Sequence, residues 1–293
     1  MTIPPPAEIR RLAYLGTPDL AVAPLVALVE AGYEIPIVVS RPDTRRGRGG
    51  ARQPSPVKAA AEARGLPVTD DLTDLDSIDL DLGVVVAYGR IIPPTTLDRL
   101  AMVNLHFSLL PRWRGAAPVE RAILAGDRET GVCLMAVEEG LDTGGIYRRT
   151  VVEIDDDETL DELRARLVEI GTGQLLGALT DGLGDPVAQV GEPVHAAKIT
   201  PDERRIDWTR PAIDIHRQVR VGGAWTTFRD RRLKIHRTTV VDGTGRPGTI
   251  DGLTVVTGDG AIELVVVQPE GKARQPAEAW RNGARPGPDD IFV

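Results

Sequence analysis

Arg11-Leu-Ala-Tyr-Leu15 leads through Gly16-Thr17-Pro18-Asp19 into Leu20 to Ala31, and Gly32 separates that segment from Glu34-Ile-Pro-Ile-Val-Val39. The outer pieces are short and apolar, as buried strands are. The middle piece has the length of a helix and ends at a glycine. Strand, glycine turn, helix, strand is a βαβ unit, which predicts a parallel sheet. The turn after the first strand lacks Gly-x-Gly-x-x-Gly, so a dinucleotide is not expected there.

The pattern continues outward. Val57 to Arg64 reads as a helix, and Leu66 to Val68 leads into a short third strand. Leu82-Gly-Val-Val-Val-Ala-Tyr88 is apolar almost throughout, which places it centrally in the sheet. Ligands of open α/β sheets bind beyond the carboxyl ends of the strands, so Ala87, Tyr88 and Gly89 border the expected crevice. Leu97 to Leu100 reads as a short helix and Ala101 to His106 as the next strand. Asn104 and His106 are two residues apart, and in an extended chain such residues share a face. Ser108-Leu109-Leu110-Pro111 follows, then the turn-prone Pro111-Arg112-Trp113-Arg114-Gly115. Ala116 to Ala125 reads as a helix and Val132 to Val137 as a strand. Beyond it, Glu139-Gly-Leu-Asp-Thr-Gly-Gly145 puts the carboxylate of Asp142 into a glycine-flanked loop. An amide, an imidazole and a carboxylate on neighbouring loops suit acyl transfer, in which an oxyanion is stabilised and a proton moved. Taken singly, each also fits an ordinary role: a packed histidine, an asparagine at a strand end, a turn aspartate.

At 293 residues, with 42% hydrophobic and 27% charged residues, the chain has the composition of a soluble protein of one or two domains. Its single cysteine, Cys133, excludes an internal disulfide, fits a reducing cytoplasmic setting, and sits in an apolar run as a core residue. No His/Cys cluster has metal spacing, so no metal is expected. No apolar run approaches the roughly 20 residues of a membrane span. The leader, with its Pro4-Pro5-Pro6 run, is not a signal peptide. A net charge of −8 argues against a protein that coats nucleic acid, but not against a local basic surface.

Such a surface is visible twice. Residues 40 to 56 carry Arg41, Arg45, Arg46, Arg48 and Arg52 against one acid, Asp43, with Gly47, Gly49 and Gly50 among them. A long arginine-rich arm within a compact domain suits contact with RNA phosphates; a solvated loop is the plainer alternative. Residues 202 to 237 hold ten Lys/Arg against five Asp/Glu, although the whole chain is acidic. By contrast, Asp70, Asp71, Asp74, Asp76, Asp79 and Asp81 form an acidic run expected to be a solvated face.

Ile146 to Ile154 reads as an antiparallel edge strand and Thr159 to Leu179 as a long amphipathic helix. Residues 181 to about 199 are rich in Gly and Pro and read as a linker. Short strands with glycine turns then suggest a small β-barrel. His195, His216 and His236 have no partner motif and are expected at the surface.

Asn104 to Pro118, followed by Gly140-Leu-Asp-Thr-Gly144, resembles the methionyl-tRNA formyltransferase family, and the resemblance runs from about residue 11 to residue 293. It implies a Rossmann-like formyltransferase domain at residues 1–185 with a mostly parallel sheet. A linker at 186–203 and an OB-like, tRNA-binding β-barrel at 204–293 would follow. It further implies a monomeric cytoplasmic enzyme, neither bound to a membrane nor dependent on a metal, that formylates methionyl initiator tRNA from 10-formyltetrahydrofolate. The catalytic residues would be Asn104, His106 and Asp142. The folate would lie against Tyr88, Gly89, Ser108, Leu109, Leu110 and Pro111, and Arg41, Arg45, Arg46 and Arg48 would meet the tRNA. Thr44 stands where many relatives carry a basic residue, which shifts that role to Arg45 and Arg46. Asn104, His106 and Asp142 also occur in sugar-nucleotide formyltransferases, which should lack the basic arm and barrel. A silent tRNA-binding module would not need the three residues at all.

Overall fold

The computed structural model describes residues 3–45 and 52–293, and the chain divides into two compact units. One takes the chain up to Pro118, Glu129–Glu153 and Arg164–Ala196. The other takes Val119–Arg128, Ile154–Leu163 and Ala197–Val293.

The first unit begins with β1 (Arg11–Gly16), α1 (Val22–Glu30) and β2 (Glu34–Val39), the expected βαβ unit. Then come β3 (Thr44–Arg45), β4 (Arg52–Gln53), α2 (Pro56–Glu62), β5 (Val68–Thr69) and β6 (Leu82–Val86). The short α3 (Pro94–Leu97) precedes β7 (Met102–His106) and β8 (Arg114–Gly115). Helix α4 (Pro118–Ala125), β9 (Glu129–Ala136), β10 (Ile146–Glu153), α5 (Leu160–Asp181) and β11 (His195–Ala196) complete this part of the chain. The main sheet runs β10-β9-β7-β6-β1-β2-β5. Strands β7, β6, β1, β2 and β5 pair in parallel; β9 and β10 are antiparallel at one edge, as the alternation of residues 146 to 154 predicted.

Leu12, Ala13, Tyr14 and Leu15 on β1, and Leu82, Val84 and Val86 on β6, are fully buried. Each large apolar side chain removed from water in this way contributes about 1.5–3 kcal/mol before entropy is counted. The Tyr14 hydroxyl donates to Ala21 O at 2.5 Å, so the phenol enters the core with its polar end satisfied. From β1 the chain winds outward through β2 to β5, then returns to the other side of β1 to form β6 and β7. The strand order therefore reverses between β1 and β6, where a crevice opens at the carboxyl ends. Thr17 Oγ1, just past β1, donates to Tyr88 O, just past β6, at 3.1 Å and ties the two ends together.

The second unit holds α6 (Ala212–Val221), β12 (Trp225–Phe228), β13 (Arg231–Val241), β14 (Ile250–Asp251), β15 (Thr254–Val256), β16 (Ala261–Pro269), β17 (Gln275–Pro276) and α7 (Ala277–Ala284). The strands form one antiparallel sheet, β12-β13-β16-β15-β14 with β17 on β16. Its core includes Trp208, Phe228, Trp280 and Phe292, with Trp208 stacked on Phe292 at 5.3 Å. No helix among the described residues is long and apolar enough to cross a membrane.

Several expectations need correction. The helix read at Leu97 to Leu100 lies three residues earlier, where Pro94 fits a first helical turn because it needs no N–H partner there. The acidic run is exposed as read except at Asp81, whose Oδ2 accepts from the N–H groups of Arg10 and Arg11 at 2.8 Å and starts β1. His195 is exposed and His236 half-buried, but His216 is buried, contrary to the surface role read from the sequence. Its Nε2 lies 3.1 Å from Asp156 O and its Nδ1 3.0 Å from Thr238 Oγ1. The carbonyl can only accept, so Nε2 is assigned the proton and Nδ1 accepts from Thr238. This neutral tautomer satisfies both ring nitrogens.

Burial pushes the His216 imidazole below the usual histidine range, against the raising effect of the Asp156 carbonyl. Nearby Arg220 lowers it and the carboxylates of Asp157 and Asp156 raise it. The unfolded chain therefore takes up this proton first as pH falls below about 6.5. The second unit should hold its stability above that pH and lose some of it progressively below. A urea titration at several pH values should show a shallower acid-side decline for His216→Gln than for the parent. Equal declines would show that His216 does not contribute.

Candidate active site

The site is built where β7 ends. Asn104 lies level with Val85 of β6, and His106 pairs with Cys133 of β9. Alternation turns Val103 and Leu105 into the opposite face, where they are buried, and leaves Asn104 and His106 together on the other. Asn104 is half-buried, and among the described residues its amide has no hydrogen-bond partner.

His106 is held firmly. Its Nε2 lies 2.9 Å from Trp113 O, a group that only accepts, so Nε2 carries a proton and donates. Its Nδ1 faces Asp142 Oδ2 at 3.5 Å. The same Oδ2 accepts from the Gly115 N–H at 2.8 Å. One carboxylate oxygen thus joins the loop after β7 to the loop after β9. Asp142 adopts a positive φ of 52°, which non-glycine residues rarely take. Next to it, a Cβ on Gly144 would lie 2.0 Å from Ala136 O, so this position needs glycine.

The loop after β7 folds on itself. Ser108 Oγ donates to Arg112 O at 2.7 Å, and Trp113 takes a positive φ of 67° beneath the Arg112 guanidinium, which lies 4.4 Å from its ring. Ser108 and Leu110, read from the sequence as folate contacts, are covered. Ser108 has no exposed surface and bonds its own loop, and Leu110 packs with Cys133, Met135 and Ile146. Of the proposed folate contacts, these two side chains are therefore covered by the protein itself. Leu109 and Pro111 are half-buried and Gly89 is exposed, with a positive φ of 80°. Tyr88 is buried in the apolar cluster with Leu72, Leu75 and Leu97.

Sequence reasoning missed Gln189. Gly184 to Pro193 are all exposed except this one side chain. Its Nε2 donates to Asp142 O and Gly144 O, both at 2.8 Å, and its Oε1 accepts from Arg114 Nη2 at 2.7 Å and Nε at 3.1 Å. Strand β11 pairs with β8 just beyond it. The Gly/Pro content that reads as a linker conceals this packing. The available signal was one long polar side chain among Val187, Ala188 and Val190.

In the arginine-rich arm, Arg45 and Arg52 face each other across the β3–β4 pair, and both are exposed. Asp43, the arm's one acid, is neutralised by Lys58 Nζ at 2.7 Å. The buried Ser40 and Ser55 hydroxyls, 2.6 Å apart, tie together the two ends of the arm. Arg41 is half-buried, and among the described residues its Nε has no hydrogen-bond partner. Arg46 and Arg48 lie outside the described residues. No group of His, Cys, Asp and Glu among the described residues could hold a metal ion.

The family described as formyl transferase matches residues 10–179, and the formyl transferase C-terminal domain matches residues 198–285. A methionyl-tRNA formyltransferase from Jannaschia sp. (strain CCS1) is 44% identical, covering 96% of this chain and 99% of the relative. Another, from Roseobacter denitrificans, is 44% identical over 94% of this chain and 96% of the relative. Among solved structures, an N-formyltransferase from Helicobacter canadensis, in complex with folinic acid and dTDP-3-aminofucose, superposes with a TM-score of 0.67. It is 17% identical and covers 87% of this chain and 99% of its own, so it speaks to the fold. The protein is a formyltransferase, as its fold and family match define it. More narrowly, the chain belongs to the methionyl-tRNA formyltransferase family, and the resemblance read from the sequence is borne out.

Gly144→Ala should cost about 1–3 kcal/mol, because the new methyl meets a backbone oxygen that cannot yield without moving β9. Urea denaturation of the variant beside the parent measures this, and an unchanged midpoint would show that the loop is looser than described.

Proposed function

We propose that this chain transfers the formyl group of 10-formyltetrahydrofolate to the α-amino group of methionyl initiator tRNA, in the cytoplasm, for the start of protein synthesis. The observation that carries the reading is the pairing of an uncommitted Asn104 amide with a His106 ring fixed between Trp113 O and Asp142. The extent of the match to methionyl-tRNA formyltransferases and the basic arm favour a tRNA substrate over a sugar nucleotide.

The folate brings a formyl group already bonded to nitrogen. Gly89 at the switch point and the free Asn104 amide are residues that fit such a co-substrate. The Asn104 N–H donates to the formyl oxygen, where negative charge grows as the amine attacks. The amine loses one proton on becoming an amide, and the departing nitrogen gains one, so the residues must move a proton without net uptake. Since Nε2 of His106 is committed to Trp113, Nδ1 is the nitrogen that exchanges it, directly or through water. Asp142 steadies that ring with Nδ1 turned to where the proton passes. Its own charge is balanced in part by the Gly115 N–H.

His106→Ala should lower formylation of methionyl-tRNA by about 10²-fold or more, and Asp142→Asn should do likewise, with unchanged circular dichroism. Near-normal turnover in both variants would exclude this machinery.

The arm would meet tRNA phosphates through Arg41, Arg45, Arg46 and Arg48. Each phosphate contact contributes roughly 0.7–0.9 to the slope of log affinity against log salt. Neutralising Arg45 and Arg46 together should weaken tRNA binding and flatten that slope by about one to two units, leaving folate binding intact. Thr44→Ala should matter less than Arg45→Ala. Binding titrations across a range of salt decide the point: unaltered affinity and slope in the double variant would leave the arm without a role in tRNA binding.

A further inference from the structure

Resting on that reading of the site, we propose that Gln189 is a positioning residue for the transfer reaction and acts through Asp142. The inference starts from the inventory of a carboxamide: two N–H donors and two acceptor lone pairs. Gln189 uses all four. Its amino group gives one hydrogen to Asp142 O and one to Gly144 O, and its oxygen takes two from the Arg114 guanidinium. The orientation is forced, because the flipped amide would set its oxygen against two carbonyls and its NH₂ against a guanidinium.

These contacts lie on both sides of the candidate catalytic carboxylate. Asp142 and Gly144 belong to the loop that carries it. Arg114 is the neighbour of Gly115, whose N–H binds Asp142 Oδ2. Gln189 therefore clamps the two loops that Asp142 itself joins. The Asp142 backbone has a positive φ, and conformations of this kind persist when the surroundings over-determine them. Carbonyl bonds at both Asp142 and Gly144, one residue on either side of Thr143, supply that constraint. The same carboxylate lies 3.5 Å from His106 Nδ1, a separation at which a small drift of the loop loses the contact.

A purely structural role and a positioning role differ in what they require. A structural role lowers activity only by unfolding the protein, whereas a positioning role lowers kcat in protein that is still folded. Glutamate keeps the shape and offers Arg114 a better acceptor, but it has no hydrogen for Asp142 O or Gly144 O and adds a second negative charge to their loop. Gln189→Glu sets an oxygen against both carbonyls and should lower the melting temperature somewhat, while kcat of the protein still folded at the assay temperature falls by about 10-fold or more, since displacements of the order of 1 Å at a reacting group cost about that much or greater. KM for 10-formyltetrahydrofolate should change little. Gln189→Ala, which removes the clamp with no added charge, should lower kcat similarly.

The deciding measurement is a double-mutant cycle with Asp142→Asn. If Gln189 acts through the Asp142 carboxylate, Gln189→Ala should cost little further activity once Asp142 is asparagine. Full additivity of the two losses, or parental kcat in both Gln189→Ala and Gln189→Glu, would overturn the inference. Loss of activity in both variants that is fully accounted for by the fraction unfolded at the assay temperature would also overturn it, in favour of a structural role. Failure of the underlying reading looks different: Asp142→Asn alone would then turn over at the parental rate.

Discussion

The hydrogen bond from the Gly115 N–H to Asp142 Oδ2 is the contact on which the candidate site depends. A mostly covered carboxylate must recover the hydration it gives up, and a backbone donor at 2.8 Å does part of this without needing its own charge. A backbone donor also cannot swing away, so the oxygen is fixed relative to the chain after β7. His106 then finds its two ring nitrogens between rigid partners, the Trp113 carbonyl and that oxygen. Remove the bond and the loops after β7 and β9 remain connected at a distance, through Gln189 and the sheet, but the imidazole loses its reference point.

The sheet makes this contact possible. β9 runs antiparallel beside β7, so the loop after β9 starts level with Val103, at the amino half of β7, and folds back along the strand to bring Asp142 to His106 and Gly115. The switch between β1 and β6 opens the crevice, and the β7 register sets Asn104 and His106 on one side of it. The core on the other side of β7, with Val103 and Leu105 buried, supplies the rigidity that hydrogen bonds alone would not.

Much of this could be read from the sequence because it is local. The βαβ unit follows from two apolar runs, a helix-length segment and two glycines. The Asn104–His106 spacing follows from the pleat, and Asp142 stands out between glycines. What escaped depends on packing between distant parts of the chain. Gln189 meets Asp142 across 47 residues, and although one long polar side chain stands out in Val-Ala-Gln-Val, its partner does not. Ser108 and Leu110 look available in a turn-prone motif, yet the turn folds inward and covers them. His216 was read as exposed because its partners, Asp156 and Thr238, lie 60 and 22 residues away. Composition marks where a chain is able to bend, whereas burial is decided by what it bends against.

The segment carrying Gln189 has a bearing on how the catalytic half could be handled in isolation. Composition invites a cut near Asp185, where the last long helix has ended and glycine and proline accumulate. Such a piece would keep every strand of the main sheet and all three candidate catalytic side chains. It would nevertheless lack Gln189 and the β11 strand that pairs with Arg114 and Gly115. A piece that keeps the clamp extends at least to Ala196. Recombining this half with other C-terminal halves, in the laboratory or over evolutionary time, would conserve the clamp only when the junction falls beyond that residue.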